Sequence, residues 1–112
     1  MNKKDAAIEF IRCFCAADLQ GMEDLLAPEL KFTGPLFTFD SRQAYLESLQ
    51  NDPPEQASYR LLSVTDNDDE VAIFYEYDKA LDSMTLAQLF RFQGEQISEI
   101  LLLFDVGKFN SG

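Results

Sequence analysis

The chain contains no histidine. That removes the commonest proton shuttle and the commonest metal ligand together. A Ser-His-Asp triad, a Cys-His pair and a zinc site are therefore excluded within one chain. Any chemistry must come from other groups. Cys13 and Cys15 stand two positions apart, and on a helix that spacing turns them about 200° away from each other. They cannot bridge one another and are expected to be reduced, small apolar residues, as in a cytoplasmic protein. A reactive thiol would want a basic partner, and Arg12 is the basic residue nearby. The run "DNDDE" at 66–70 gathers carboxylates, but it has neither the sixth-position glycine nor the later glutamate of a calcium loop, so it is expected to be a solvated hairpin tip.

Gln88 is the most informative polar residue. In "SMTLAQLFRF" one alternating row reads Met84, Leu86, Gln88, Phe90 and Phe92, so an amide stands in an otherwise apolar row. A buried amide left without partners costs about 1–3 kcal/mol. Gln88 is thus either a handle for a ligand or a core amide satisfied by a backbone group, a water or a tyrosine.

The elements that must position these groups follow from periodicity. Residues 3–17 form an amphipathic helix with Ala7, Phe10, Ile11, Phe14 and Ala17 on one face, Asp5, Glu9 and Arg12 on the other, and Asn2 as its cap. A shorter helix begins after Asp18, buries Met22, Leu25 and Leu26, and is stopped by Pro28. "LKF" and "LFTF" read as short strands around Gly34-Pro35. Asp40 with Gln43 resembles a capping box for a third helix over 41–50, with Ala44, Tyr45 and Leu49 turned inward. The prolines of "NDPPEQ" forbid regular structure. Four strands follow: "YRLLSVT", "EVAIFYEYD", "SMTLAQLFRFQ" and "QISEILLLFD", the last two joined by a tight turn at Gly94. Helices followed by a strand meander predict an α+β fold, with the helices on one face of a curved antiparallel sheet.

The last strand is apolar on both faces. Ile100, Leu102 and Phe104 share one side; Leu101 and Leu103 share the other. Such a strand wants cover on both sides. Helices supply one cover, and a second copy of the chain, meeting Leu89, Leu101 and Leu103, is expected to supply the other as a homodimer.

Composition bounds the partners. The length of 112 residues suits a single domain spanning 1–112, and an apolar fraction of 46% argues against disorder. The formal charge of −11 disfavours nucleic acid and anionic lipid. No apolar run approaches the roughly 20 residues of a membrane span, and Asp5 and Glu9 interrupt any signal-peptide core. A soluble, cytoplasmic protein is expected.

Three stretches, "AIEFIRCFCAADLQGMEDLLAPELKFTGP", "DSRQAYLESL" and "LFRFQGEQISEILLLFD", resemble in order and spacing the NTF2-like superfamily and its SnoaL-like, ketosteroid-isomerase-like branch. The resemblance covers nearly the whole chain. It implies a cone, a bent sheet wrapped around a long helix with a pocket open at one end. Isomerase-like members carry a carboxylate base just before the proline, where this chain has Gly34 preceded by Thr33. They carry an oxyanion-stabilising tyrosine on the first helix, where this chain has Phe10. They carry a protonated acid at the position of Gln88, an amide that donates but does not titrate. Cyclase- and dehydratase-like members rely on histidine with aspartate. No catalytic set, metal or cofactor is therefore expected.

The same resemblance makes Tyr45 a pocket residue. Tyr75 and Tyr77 share the strand face of Val71 and Ile73, the expected pocket face. Phe10, Phe14, Phe90 and Phe104 are expected to supply apolar walls, with Gln88 at the floor. Asp105 reads as a solvated strand end. The leading expectation is a module that binds a small, mostly apolar molecule. Two alternatives stand beside it: an isomerase, cyclase or dehydratase acting on a polyketide- or steroid-like substrate, and a dimeric interaction module whose pocket is filled by its own side chains. Fold alone does not choose among them.

Overall fold

A computed structural model of the chain describes residues 1–79 and 82–105. Among them, α1 (Lys3–Cys15), α2 (Leu19–Leu25), β1 (Leu26–Thr33), β2 (Thr38–Phe39), α3 (Arg42–Asn51), β3 (Ser58–Asp66), β4 (Glu70–Lys79), β5 (Asp82–Gln93) and β6 (Gln96–Leu103) follow one another along the chain. The six strands form one curved sheet in the order β2-β1-β6-β5-β4-β3. The helices pack on its inner face, as the alternation of the later strands requires. Val71, Ile73 and Tyr75 of β4, Leu86, Gln88 and Phe90 of β5, and Ile97 and Ile100 of β6 are buried there against Phe10, Ile11, Met22 and Leu46.

Helix α1 starts where expected. The Asn2 side chain accepts from the Asp5 N–H at 2.7 Å, satisfying one of the donors that a helix start leaves open. It ends two residues earlier than its periodicity suggests. Ala17 adopts φ 57°, a left-handed conformation outside any helix. The Ala17 and Asp18 N–H groups then donate to the Phe14 and Cys13 carbonyls, closing the helix end. Asp18 caps α2 by accepting from the Gly21 N–H at 3.0 Å.

Four local expectations are corrected. Pro28 does not terminate α2. The helix ends at Leu25, and Pro28 lies within β1, where the pairing with β6 shifts register between Leu26 and Lys31. A proline is tolerated at such an irregularity because no ladder bond is asked of its nitrogen. Ser41, not Asp40, caps α3, accepting from the Ala44 N–H at 3.0 Å. Ala44 is exposed and Leu46 is buried in its place. Finally, the sheet is not wholly antiparallel, because β1 runs parallel to β6. A parallel neighbour needs a long crossover, and here everything from β2 to β5 supplies it.

The tight turn after β5 is a two-residue hairpin with Gly94 at φ 63°, a value that glycine adopts at no steric cost. At the β3–β4 tip the Asn67 Oδ1 accepts from the N–H groups of Asp69 and Glu70. The acidic run is thus organised by its own asparagine.

On the outer face, β-register aligns two apolar rows. Leu101, Leu89 and Ala72 lie side by side, and Leu103, Ala87 and Phe74 form the next row. Leu103 is 55% exposed and Phe74 51% exposed. Ion pairs flank the rows: Arg91 with Glu70 (2.6 Å) and Glu99 (3.2 Å) on one side, Arg60 with Glu76 on the other.

Candidate functional site

The inner face of the sheet does not close on the helices everywhere. Between α1, α3, the β1–β2 turn and the concave side of β4 to β6 lies a cavity of about 410 Å³. The side chains of the described residues leave it open. Helix α1 contributes Phe10, Ile11 and Phe14 at helical spacing; α3 contributes Tyr45, Ser48, Leu49 and, at its end, Asp52. Strand alternation brings Tyr75, Tyr77 and Lys79 from β4 and Met84, Leu86 and Gln88 from β5. Leu102 and Phe104 follow from β6 and the residues just beyond it.

Burial orders these residues by depth. Phe10, Tyr45, Tyr75, Leu86 and Gln88 are buried, whereas Pro35, Leu36, Phe37 and Asp52 are exposed and Lys79 is partly exposed, marking the mouth. The mouth is therefore apolar on the side of the β1–β2 turn and charged on the other. There Lys79 Nζ sits 3.7 Å from Glu55 Oε1.

Gln88 is 5% exposed. Its partner is Tyr75, whose hydroxyl donates to Gln88 Oε1 at 2.9 Å. Tyr75 pairs directly with Leu86 in the β4–β5 ladder, so Gln88 is its diagonal neighbour on the inner face, a spacing within reach of long and aromatic side chains. With Oε1 engaged and the residue lining the cavity, the amide nitrogen is the group offered to an occupant. Burial raises the hydroxyl pKa values of Tyr45, Tyr75 and Tyr77, so all three are neutral at ordinary pH.

An aromatic ladder runs from mouth to floor. Phe37 stacks on Phe39 (centroids 6.3 Å apart), Phe39 meets Tyr45 (5.6 Å), and Tyr45 stacks on Phe32 (4.7 Å, 18° between planes). On the opposite wall Phe14 tilts against Tyr77 at 6.2 Å.

Of the residues expected at the pocket, Gln88, Tyr45, Tyr75, Tyr77, Phe10, Phe14 and Phe104 line the cavity. Phe90 does not. It lies one strand pair beyond Gln88, has no exposed surface, and meets Phe10 edge-on at 5.6 Å. The helix is seated on the sheet at that point, so the row that lines the cavity up to Gln88 turns to core at Phe90. Leu49 was legible as an inward residue of α3 but not as cavity wall, because its place depends on how α3 and the β1–β2 turn dock. Asp105 is exposed and outside the lining.

The positions of the isomerase-like pattern can also be located. Gly34 does line the cavity, and a Cβ there would meet the Phe32 ring at 3.2 Å. The base position thus faces the cavity without a carboxylate on it. Among the described lining residues the carboxylate is Asp52, at the exposed end of α3.

The two thiols are buried and unbridged. Cys13 donates to Glu9 Oε2 at 3.5 Å, and burial, assisted by that carboxylate, pushes its pKa up to about 11. Burial pushes Cys15 up to about 11 as well. Neither side chain lines the cavity. Among the described residues, no helix is long and apolar enough to cross a membrane.

The model of the SnoaL-like domain family matches residues 7–100. No curated protein matches the sequence. Solved structures share the fold at low identity. An NTF2-like protein of unknown function from Cytophaga hutchinsonii superposes with a TM-score of 0.84 at 14% identity, over 98% of this chain and 96% of its own. An epoxide hydrolase from M. tuberculosis, described as LEH-like, gives 0.80 at 11% identity, over 97% and 86%. A protein from Catenulispora acidiphila with a ketosteroid isomerase-like fold, solved in complex with trimethylamine, gives 0.71 at 14% identity, over 90% and 85%. These likenesses establish the NTF2-like cone.

Proposed function

The chain belongs to the SnoaL-like domain family, and on that premise we propose that it is a binding protein whose cavity holds a small, mostly apolar molecule. One observation carries this reading: a cavity of about 410 Å³ whose walls are aromatic and aliphatic, with a single engaged amide at depth and charged residues only at the mouth among the described lining residues. That volume falls within the roughly 300–1,000 Å³ of small-molecule sites. At interior packing density it would hold a ligand of roughly 15–20 non-hydrogen atoms. Isomerase, cyclase or dehydratase chemistry has less support. Glycine stands at the base position, phenylalanine at the first donor position, and an amide replaces the acid at the second.

The test is titration with N-phenyl-1-naphthylamine, a neutral dye that brightens in apolar surroundings. Saturable uptake of one dye per chain is expected, weakened about tenfold or more by Leu49→Trp, which fills the cavity from α3. Absence of saturable uptake, or uptake indifferent to Leu49→Trp, would refute the reading.

A homodimer is part of the proposal. The apolar outer rows, Leu101 with Leu89 and Leu103 with Phe74, are flanked by ion pairs and offer a self-complementary patch to a second copy. A cytoplasmic setting also belongs to the proposal, supported by two cysteines that remain unbridged thiols.

A further inference from the structure

We infer that Tyr75 is a positioning residue that fixes the polarity of Gln88, so that the cavity selects an uncharged occupant bearing a hydrogen-bond acceptor, such as a carbonyl, at its deep end. The inference rests on the binding reading above and adds to it which functional group the occupant carries.

A glutamine amide is two-faced. One end accepts and the other donates, and a free side chain can present either by a half-turn about its last bond. Here one orientation is favoured. The Tyr75 hydroxyl stands 2.9 Å from Gln88 Oε1 on the neighbouring strand, held by the β4–β5 ladder in which Tyr75 faces Leu86 and Ile73 faces Gln88. Both residues are nearly inaccessible, at 4% and 5% exposure. A half-turn would make the phenol oxygen, a weaker acceptor than an amide carbonyl, receive the amide N–H and would leave the amide carbonyl facing the cavity. The phenol therefore selects the orientation in which Oε1 points at Tyr75 and the NH₂ group points at the occupant. A ligand acceptor meets a donor that is already aimed. A ligand donor at the same place meets another donor.

Charge is selected against by the same surroundings. The lining residues near Gln88, namely Phe10, Tyr45, Tyr75 and Leu86, are buried and carry no ionised group. Lys79 and Asp52 are confined to the mouth, where Lys79 already faces Glu55. A carboxylate carried to the depth of Gln88 would lose its hydration with no counter-charge to replace it.

The test uses three isosteres at pH 7: 2-acetylnaphthalene, 2-isopropenylnaphthalene and 2-naphthoate. They differ in one group only, a ketone, a methylene in place of its oxygen, and an ionised carboxylate. Affinities are read by calorimetry and by ligand fluorescence, undisturbed by tryptophan, which the chain lacks. In the unaltered protein the ketone is expected to bind about five- to tenfold more tightly than the alkene, the value of one aimed hydrogen bond. The carboxylate is expected to bind at least about tenfold more weakly than the ketone. Gln88→Leu should bring the ketone-to-alkene ratio to about one. Tyr75→Phe should lower this ratio about two- to fourfold, whatever it does to the affinity the two ligands share, because the aim of the amide is lost.

A purely structural role for Tyr75 would weaken both ligands together and leave their ratio intact; that result overturns the positioning role. Equal binding of ketone and alkene by the unaltered protein overturns the acceptor preference, yet leaves the apolar-cavity reading standing. Failure of all three to bind defeats the binding reading itself, and this inference with it.

Discussion

The Tyr75–Gln88 bond can be weighed by a double-mutant cycle on stability. Tyr75→Phe removes the donor and leaves Gln88 Oε1 without it. Because Gln88 lines the cavity, water can replace the lost contact, and a cost of about 1 kcal/mol is expected. Gln88→Leu removes the acceptor and strands the hydroxyl of Tyr75, a residue only 4% exposed. The stranding costs about 1–3 kcal/mol, offset by the transfer of a leucine side chain into an apolar row, so a net loss of about 1 kcal/mol is expected. The double variant leaves no orphaned polar group and continues the apolar row from Leu86 to Phe90. It should lie within about 0.5 kcal/mol of the unaltered protein. The two losses therefore do not add, and the coupling energy should be about 1.5 kcal/mol. Urea melts followed by circular dichroism resolve this. Each single variant should shift the midpoint down by about 0.5–1 M, and the double variant should recover most of that shift. Losses that add to within about 0.5 kcal/mol would mean that the two side chains are not coupled, and the argument that Tyr75 holds the amide would fall.

Other outcomes follow from the same packing. Gly21→Ala should destabilise by about 1–3 kcal/mol, although alanine is the better helix former by about 1 kcal/mol. The new Cβ would sit 2.6 Å from Asp18 Oδ2 and 2.7 Å from Cys13 Sγ, displacing the cap of α2; adding Cys13→Ala should restore part of the loss in a thermal melt. Both thiols have pKa values raised by burial from 9.0 to about 11, so the folded state holds protons that the unfolded state releases. Stability is then unaffected below pH 9 and falls as pH rises from about 9 to 11; melting midpoints that stay level across that window, with folded-state ellipticity retained, would contradict the buried placement of Cys13 and Cys15. Leu101→Glu with Leu103→Glu should leave the fold intact, since both residues are exposed, and should halve the mass seen by sedimentation at micromolar concentration. A monomer before substitution would refute the proposed interface.

Much of this protein was legible in its sequence because the governing signals are local. The alternation of Met84, Leu86, Gln88, Phe90 and Phe92 set which face of β5 looks inward, and a period-two pattern admits no slip without exposing the whole row. Asn2 and Asp18 announced two helix starts through side chains that bond the chain three residues on. The absence of histidine and the glycine at position 34 limit the chemistry whatever the fold. The three-dimensional arrangement decided what local signals do not carry. The parallel pairing of β1 with β6 joins segments some 70 residues apart in number, such as Leu26 and Ile97, and no periodicity records a distant partner. Whether an apolar face becomes wall or core depended on where α1 and α3 dock. That docking leaves Phe10 and Tyr45 facing open space yet seals Phe90 against Phe10. The sequence singled out Gln88 and required a partner for it. Only the register of β4 against β5, which sets Tyr75 diagonally across from it, decided that the partner is a phenol and that the amide turns its donor toward the cavity.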